Sequence, residues 1–127
     1  MFIHTKTACW TYVNSTSTGF EVYSVDYSPD GLYLAMAEKS KGVTLLRTSD
    51  YTMVHTFSAH YTSDYANSIK YSKDQSMIAI GGLSSSGSYI EIMHALPLSS
   101  KINIMTGFKN IAEIDFNQDD SRIIACG

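Results

Sequence analysis

The chain has 127 residues, enough for one domain, and its 44% apolar and 12% aromatic content excludes a disordered chain and allows a real core. Charged residues make up only 17% and the formal net charge is -3, so no broad positive field directs the protein to nucleic acid. No apolar run approaches the roughly 20 residues of a membrane-crossing helix. Residues 1–6 also lack the charged start and apolar stretch of a secretory signal, so the expectation is a soluble, cytoplasmic protein.

In chain order, Thr7 to Val13 reads as an extended segment holding Trp10, with Met1 to Ile3 as the tail of a strand before it. Tyr23, Val25 and Tyr27 then alternate with Ser24 and Asp26, the period-2 pattern of a strand. Ser28-Pro29-Asp30-Gly31 is a strong turn: Pro29 presets φ, Asp30 can bond nearby backbone, and Gly31 tolerates a positive φ. Strands are predicted over Leu32 to Ala37, Val43 to Leu46 and Thr52 to Phe57. The plan then recurs over Ser68 to Tyr71, Met77 to Ile80, Tyr89 to Met93 and Lys101 to Met105, and begins again over Ile111 to Phe116 and Arg122 to Cys126. Between two of these strands, Gly81-Gly82-Leu83-Ser84-Ser85-Ser86-Gly87 reads as a flexible loop. No window carries a 3.6-residue apolar period, so the fold class is all-β.

The recurrence is an internal repeat. Val25, Tyr27, Ser28, Asp30 and Ala35 align with Ile69, Tyr71, Ser72, Asp74 and Ala79; Ile69, Tyr71 and Asp74 align in turn with Ile114, Phe116 and Asp119. A period in the mid-forties with four short strands per unit is the mark of a repeat architecture. The units are 22–57 and 66–105, flanked by the outer strands of one unit (1–13) and the inner strands of another (111–127).

These features resemble a β-propeller of the WD (tryptophan–aspartate) repeat family. The likeness rests on Ser28-Pro29-Asp30-Gly31 after Val25-x-Tyr27, on Leu32-x-Leu34-Ala35, on Ala59-His60 where the family has Gly-His, and on the period. There are departures. Leu46 and Met93 stand where the family has its Trp, and the Asp of the turn before that strand is absent from Lys39 to Gly42 and from Leu83 to Ser88. A ring usually needs 4–8 blades, whereas two whole blades and two halves make about three. Either two copies pair into a six-bladed ring, or the rest comes from a longer chain, or a partner protein supplies it.

The residues show little chemistry. His4, His55, His60 and His94 have no partners at metal-ligand spacing, and no nucleophile elbow is present. Cys9 and Cys126 lie at opposite ends of the chain without Cys-x-x-Cys spacing and read as buried thiols. Asp119-Asp120 reads as a solvated turn. No cofactor or metal is expected.

Propellers of this type mostly serve as rigid platforms, so the resemblance implies a non-catalytic scaffold for other proteins or peptides. It places Lys39, Lys41, His60, Tyr61, Asp64 and Tyr65 on one rim as a candidate binding surface, since tyrosines offer contact area and charges offer orientation. Asp26, Lys70 and Asp115 share one repeat position on innermost strands and are channel-facing candidates. Two other classes stay open: a structural subunit of a cytoskeletal or ciliary assembly, and a propeller enzyme with its site at the channel.

Overall fold

A computed structural model describes residues 2–6, 9–14, 19–39, 42–57 and 65–127, with side chains described from residue 19 onward except at 100 and 101. Twelve strands are formed and no helix occurs among the described residues: β1 (Phe2–Lys6), β2 (Cys9–Asn14), β3 (Val22–Tyr27), β4 (Tyr33–Glu38), β5 (Gly42–Arg47), β6 (Met53–Phe57), β7 (Tyr65–Tyr71), β8 (Met77–Ser84), β9 (Gly87–Ala95), β10 (Leu98–Met105), β11 (Glu113–Phe116) and β12 (Ile123–Cys126). They make four antiparallel sheets: a β1-β2 pair, four-stranded β3-β4-β5-β6 and β7-β8-β9-β10, and a β11-β12 pair.

The turn between β3 and β4 is built in the same way as those between β7 and β8 and between β11 and β12. Ser28 Oγ donates to Asp30 Oδ1 at 2.6 Å and accepts from Tyr33 N–H at 3.0 Å. Ser72 repeats this with Asp74 at 2.6 Å and Met77 N–H at 2.9 Å. In the third copy Asn117 does the work, with Asp119 at 2.7 Å and Arg122 N–H at 2.8 Å. Each aspartate also accepts the N–H two residues on (Leu32, Ser76 and Ser121), the Asx-turn device that frees the chain to reverse without orphaned donors.

At the next position Gly31 has φ 75°, and its counterparts Gln75 and Asp120 hold φ 66° and 58° despite carrying side chains. Those side chains are used. Gln75 Oε1 accepts the Asp30 N–H and Asp120 Oδ2 accepts the Asp74 N–H, each at 2.9 Å, so every later turn fastens the one before it. Asp120 is therefore an inter-sheet fastener rather than a simple solvated turn residue.

The main core lies between the two four-stranded sheets. Ala35, Ala37, Val43 and Leu45 of the first meet Ile69, Ile78, Ile80, Tyr89 and Met93 of the second, all essentially excluded from solvent. Each full burial of a Leu or Ile contributes about 1.5–3 kcal/mol. A second core joins Ala79 of β8 to Ile114 and Phe116 of β11.

Two expectations are corrected. Residues 81–84, read as loop, are the second half of β8, and only Ser85-Ser86 turn the chain. The glycines mark close approach, not flexibility: a Cβ on Gly81 would lie 2.3 Å from Ile111 Cγ2, and one on Gly82 would meet the Tyr65 carbonyl. Cys126 is exposed, because it shares the outer face of β12 with Ile124, whereas Ile123 and Ala125 on the other face pack against the second core.

Candidate functional site: an aromatic and charged rim cluster

Three ends of strands converge on one rim. The start of β3, the end of β4 and the start of β7 are tied together by the Lys39 N–H donating to the Glu21 carbonyl at 2.9 Å and by a backbone bridge between Lys39 and Tyr65. A register shift between Val22 and Ser24 makes this possible. It turns the strand one residue early and brings Glu21 opposite Lys39.

The side chains then form one cluster. Lys39 Nζ is 2.9 Å from Glu21 Oε2, the Tyr23 hydroxyl donates to the same oxygen at 3.0 Å, and Lys39 Nζ stands 5.4 Å from the centre of the Tyr65 ring. The Tyr23 and Tyr65 rings are 6.0 Å apart and tilted by 55°, within the preferred range for an aromatic pair. Both rings remain 44% and 39% exposed. Beside Tyr65 runs an open groove of about 230 Å³, completed by Leu83, Ser84 and Ser85 at the β8–β9 turn.

The electrostatics are local. The hydrogen bond from Lys39, then that from Tyr23, hold the Glu21 carboxyl below its ordinary range. The bond to Glu21 raises Lys39 above the ordinary lysine range. Tyr23 is raised first by desolvation and then by its bond to Glu21. The pair is solvent-screened, so its value is orientation more than stability.

Of the residues singled out from sequence, Lys39 and Tyr65 come together here. Lys41, His60, Tyr61 and Asp64 lie outside the described residues. Glu21 and Tyr23 were missed, because nothing in the sequence marks the register shift that aligns them with Lys39.

Asp26, Lys70 and Asp115 are on equivalent positions of β3, β7 and β11 but differ in what they touch. Asp26 Oδ2 accepts the Tyr71 N–H of the next sheet at 2.8 Å. Ser24 and Ser68 do likewise for Ile69 N–H (3.3 Å) and Ile114 N–H (3.0 Å). Lys70 cannot accept, and the Phe116 N–H that would match Tyr71 is taken by Asp115 of its own strand at 2.9 Å.

Two further buried groups had no sequence signal. Among the described residues, neither carboxylate oxygen of Glu91, a fully buried residue in β9, has a hydrogen-bond partner. The Tyr71 hydroxyl is likewise unpartnered, and burial, with the charges of Asp30 and Asp26 adding, pushes that phenol upward. No group of three His, Cys, Asp or Glu suited to a metal occurs among the described residues, and no helix among them is long and apolar enough to cross a membrane.

A family model described as "WD domain, G-beta repeat" matches residues 51–89, which run from β6 into β9. Among solved structures, the chain is similar to one described as the crystal structure of RRP9 WD40 repeats, at 13% identity and TM-score 0.75, covering 87% of this chain and 33% of that one. A structure of U3-55K gives 13% identity and TM-score 0.75, covering 87% and 34%. Hydrazine synthase from Kuenenia stuttgartiensis gives 15% and 0.74, covering 83% and 29%. The chain thus spans about a third of the length of each, and at these identities the likeness concerns fold. No curated protein sequence matches the chain. With its four-stranded antiparallel sheets, a match to one WD repeat at residues 51–89 and its likeness to solved WD40 structures, the chain has a fold of β-propeller blades.

Proposed function

We propose that the protein is a non-catalytic, cytoplasmic interaction platform that binds an extended segment of another protein across the rim at Tyr23, Lys39 and Tyr65. The observation that carries this is the exposed tyrosine pair held in place by the Glu21–Lys39 contact beside the Tyr65–Ser85 groove. Aromatic rings that are both exposed and pre-oriented lose little entropy on binding, which is how hot spots form. The exposed Ser85 at the groove edge offers a hydroxyl to backbone groups of an extended chain, while the Ser84 hydroxyl is held within the turn by Gly87 and Ser86. WD-repeat propellers generally act as protein-interaction scaffolds, which supports the same reading. The depressed carboxylates Asp30, Asp50 and Asp119 owe their shifts chiefly to hydroxyls and amides of their own turns, the pattern of structural rather than catalytic acids. Asp26 is committed to the blade interface, so a role at the channel falls to Lys70 and Asp115. The remaining blades of the ring come from a second copy or from a longer chain.

Selection of a phage-displayed random peptide library on the protein tests the rim. Enriched peptides should lose tenfold or more in affinity for Tyr65→Ala and Tyr23→Ala, about 1.4 kcal/mol or more. Peptides that bind a Tyr23→Ala/Tyr65→Ala double variant as tightly as the parent would remove the rim from consideration.

A further inference from the structure

The rim cluster contains an acid that its neighbours use on one side only. Glu21 Oε2 accepts both the Lys39 ammonium at 2.9 Å and the Tyr23 hydroxyl at 3.0 Å, while no described residue donates to Oε1. The Glu21 side chain is 64% exposed, so the carboxylate stays open to a partner. Asp50, in the β5–β6 turn, shows the contrasting case. Thr52 takes its Oδ1 with both N–H and hydroxyl, and Arg47 takes its Oδ2, so both oxygens are engaged within the chain.

The surroundings of Glu21 suit a cation. The Lys39 ammonium already stands between the carboxylate and the Tyr65 ring, the two kinds of group that attract positive charge. The hydroxyl of Tyr23 is committed to Glu21, so what this exposed residue offers a partner is its ring. Both contacts on Oε2 favour the ionised acid, which keeps its charge through the neutral range. Lys39 is held by a solvent-screened contact at the end of a flexible stem and gives way at little cost. The formal net charge of -3 on the chain adds a weak pull on a cationic partner.

We propose that the segment bound at the rim carries an arginine, whose guanidinium takes both oxygens of Glu21, displaces the Lys39 ammonium and lies against the Tyr23 ring. This rests on the rim reading and adds the chemistry of the partner. Arginine fits better than lysine because its planar fork gives a carboxylate two parallel hydrogen bonds and its flat face stacks on an aromatic ring. An ammonium is a point charge that would only repeat what Lys39 does already. Lys39 is therefore a resident stand-in for the ligand and competes with it. The groove formed by Tyr65, Leu83, Ser84 and Ser85 takes the residues that flank the arginine. An acidic or phosphorylated segment recruited by Lys39 has the opposite requirement, since it would need Lys39 and not Glu21.

The probe is a synthetic array of random peptides in pools whose central residue is fixed as arginine, lysine, glutamine, glutamate or phosphoserine, read by binding of the labelled protein. Arginine pools should bind about fivefold or more above glutamine pools, and above lysine pools. Glu21→Gln should bring them down to the glutamine level, and Lys39→Gln should raise them. Three results overturn the arginine: glutamate or phosphoserine pools that lead and are lost with Lys39→Gln, arginine pools no better than lysine or glutamine pools, or an arginine signal that Glu21→Gln leaves intact or Lys39→Gln fails to raise. Where the Tyr23→Ala/Tyr65→Ala double variant still weakens the bound pools, those results leave the rim reading in place. Binding absent from every pool, or unchanged in the double variant, overturns both.

Discussion

At the scale of single residues, one repeat position shows how a change of side chain changes a job. Asp26 reaches out of its own blade to accept the Tyr71 N–H, a charge-assisted bond to a partly buried strand amide. Asp115, at the equivalent place but exposed, accepts only its neighbour's N–H. Asp26→Ala should therefore lower stability by about 1–3 kcal/mol, since the amide keeps its burial and loses its acceptor. Asp26→Asn retains a carbonyl oxygen and should cost less, while Asp115→Ala should stay within about 0.5 kcal/mol. Urea midpoints of the three variants check this, and equal losses at Asp26 and Asp115 would refute the inter-blade role. The sequence shows the shared position but not its direction. Alternation puts Asp26 between two apolar residues, and only the neighbouring blade reveals that its carboxylate has a partner there.

Strands and turns differ in how readable they are. Ser28-Pro29-Asp30-Gly31 announces its turn because every residue has a local reason to be there, and the hydrogen bonds of all three copies carry those reasons out. Residues 81–84 mislead because their reason is not local. Gly81 and Gly82 look like breakers, yet they sit in β8 where Ile111, Tyr65 and Tyr89 press against the backbone. Gly81→Ala should cost about 1–3 kcal/mol by overpacking. Ile111→Ala removes the Cγ2 atom 2.3 Å from the new Cβ, so the double variant should be more stable than the sum of the single losses predicts. Strict additivity in a double-mutant cycle would show that Ile111 is not what excludes a side chain at Gly81. The rim cluster has the same limit: Lys39 and Tyr65 stand out as charged and aromatic loop neighbours, but Glu21 and Tyr23 reach them only through a bulge that no residue type announces.

Over the whole molecule, repeat proteins draw stability from each unit and from its interfaces with neighbours, and here the interfaces are unequal. Strands β4, β5, β8 and β9 each have a strand on both edges, and the largest core, from Ala35 and Leu45 to Ile80 and Met93, lies between their sheets. Strand β12 is bonded on one edge, and Ile124 within it is 69% exposed. Opening β12 therefore breaks one ladder and a small core, whereas opening β8 breaks two ladders and both cores. Amide exchange should follow that order, slowest in peptides from β4, β5, β8 and β9 and much faster in residues 123–126. Mass-resolved exchange after timed labelling measures it. Protection in β8 no greater than in β12 would mean that the two whole blades do not share a cooperative core.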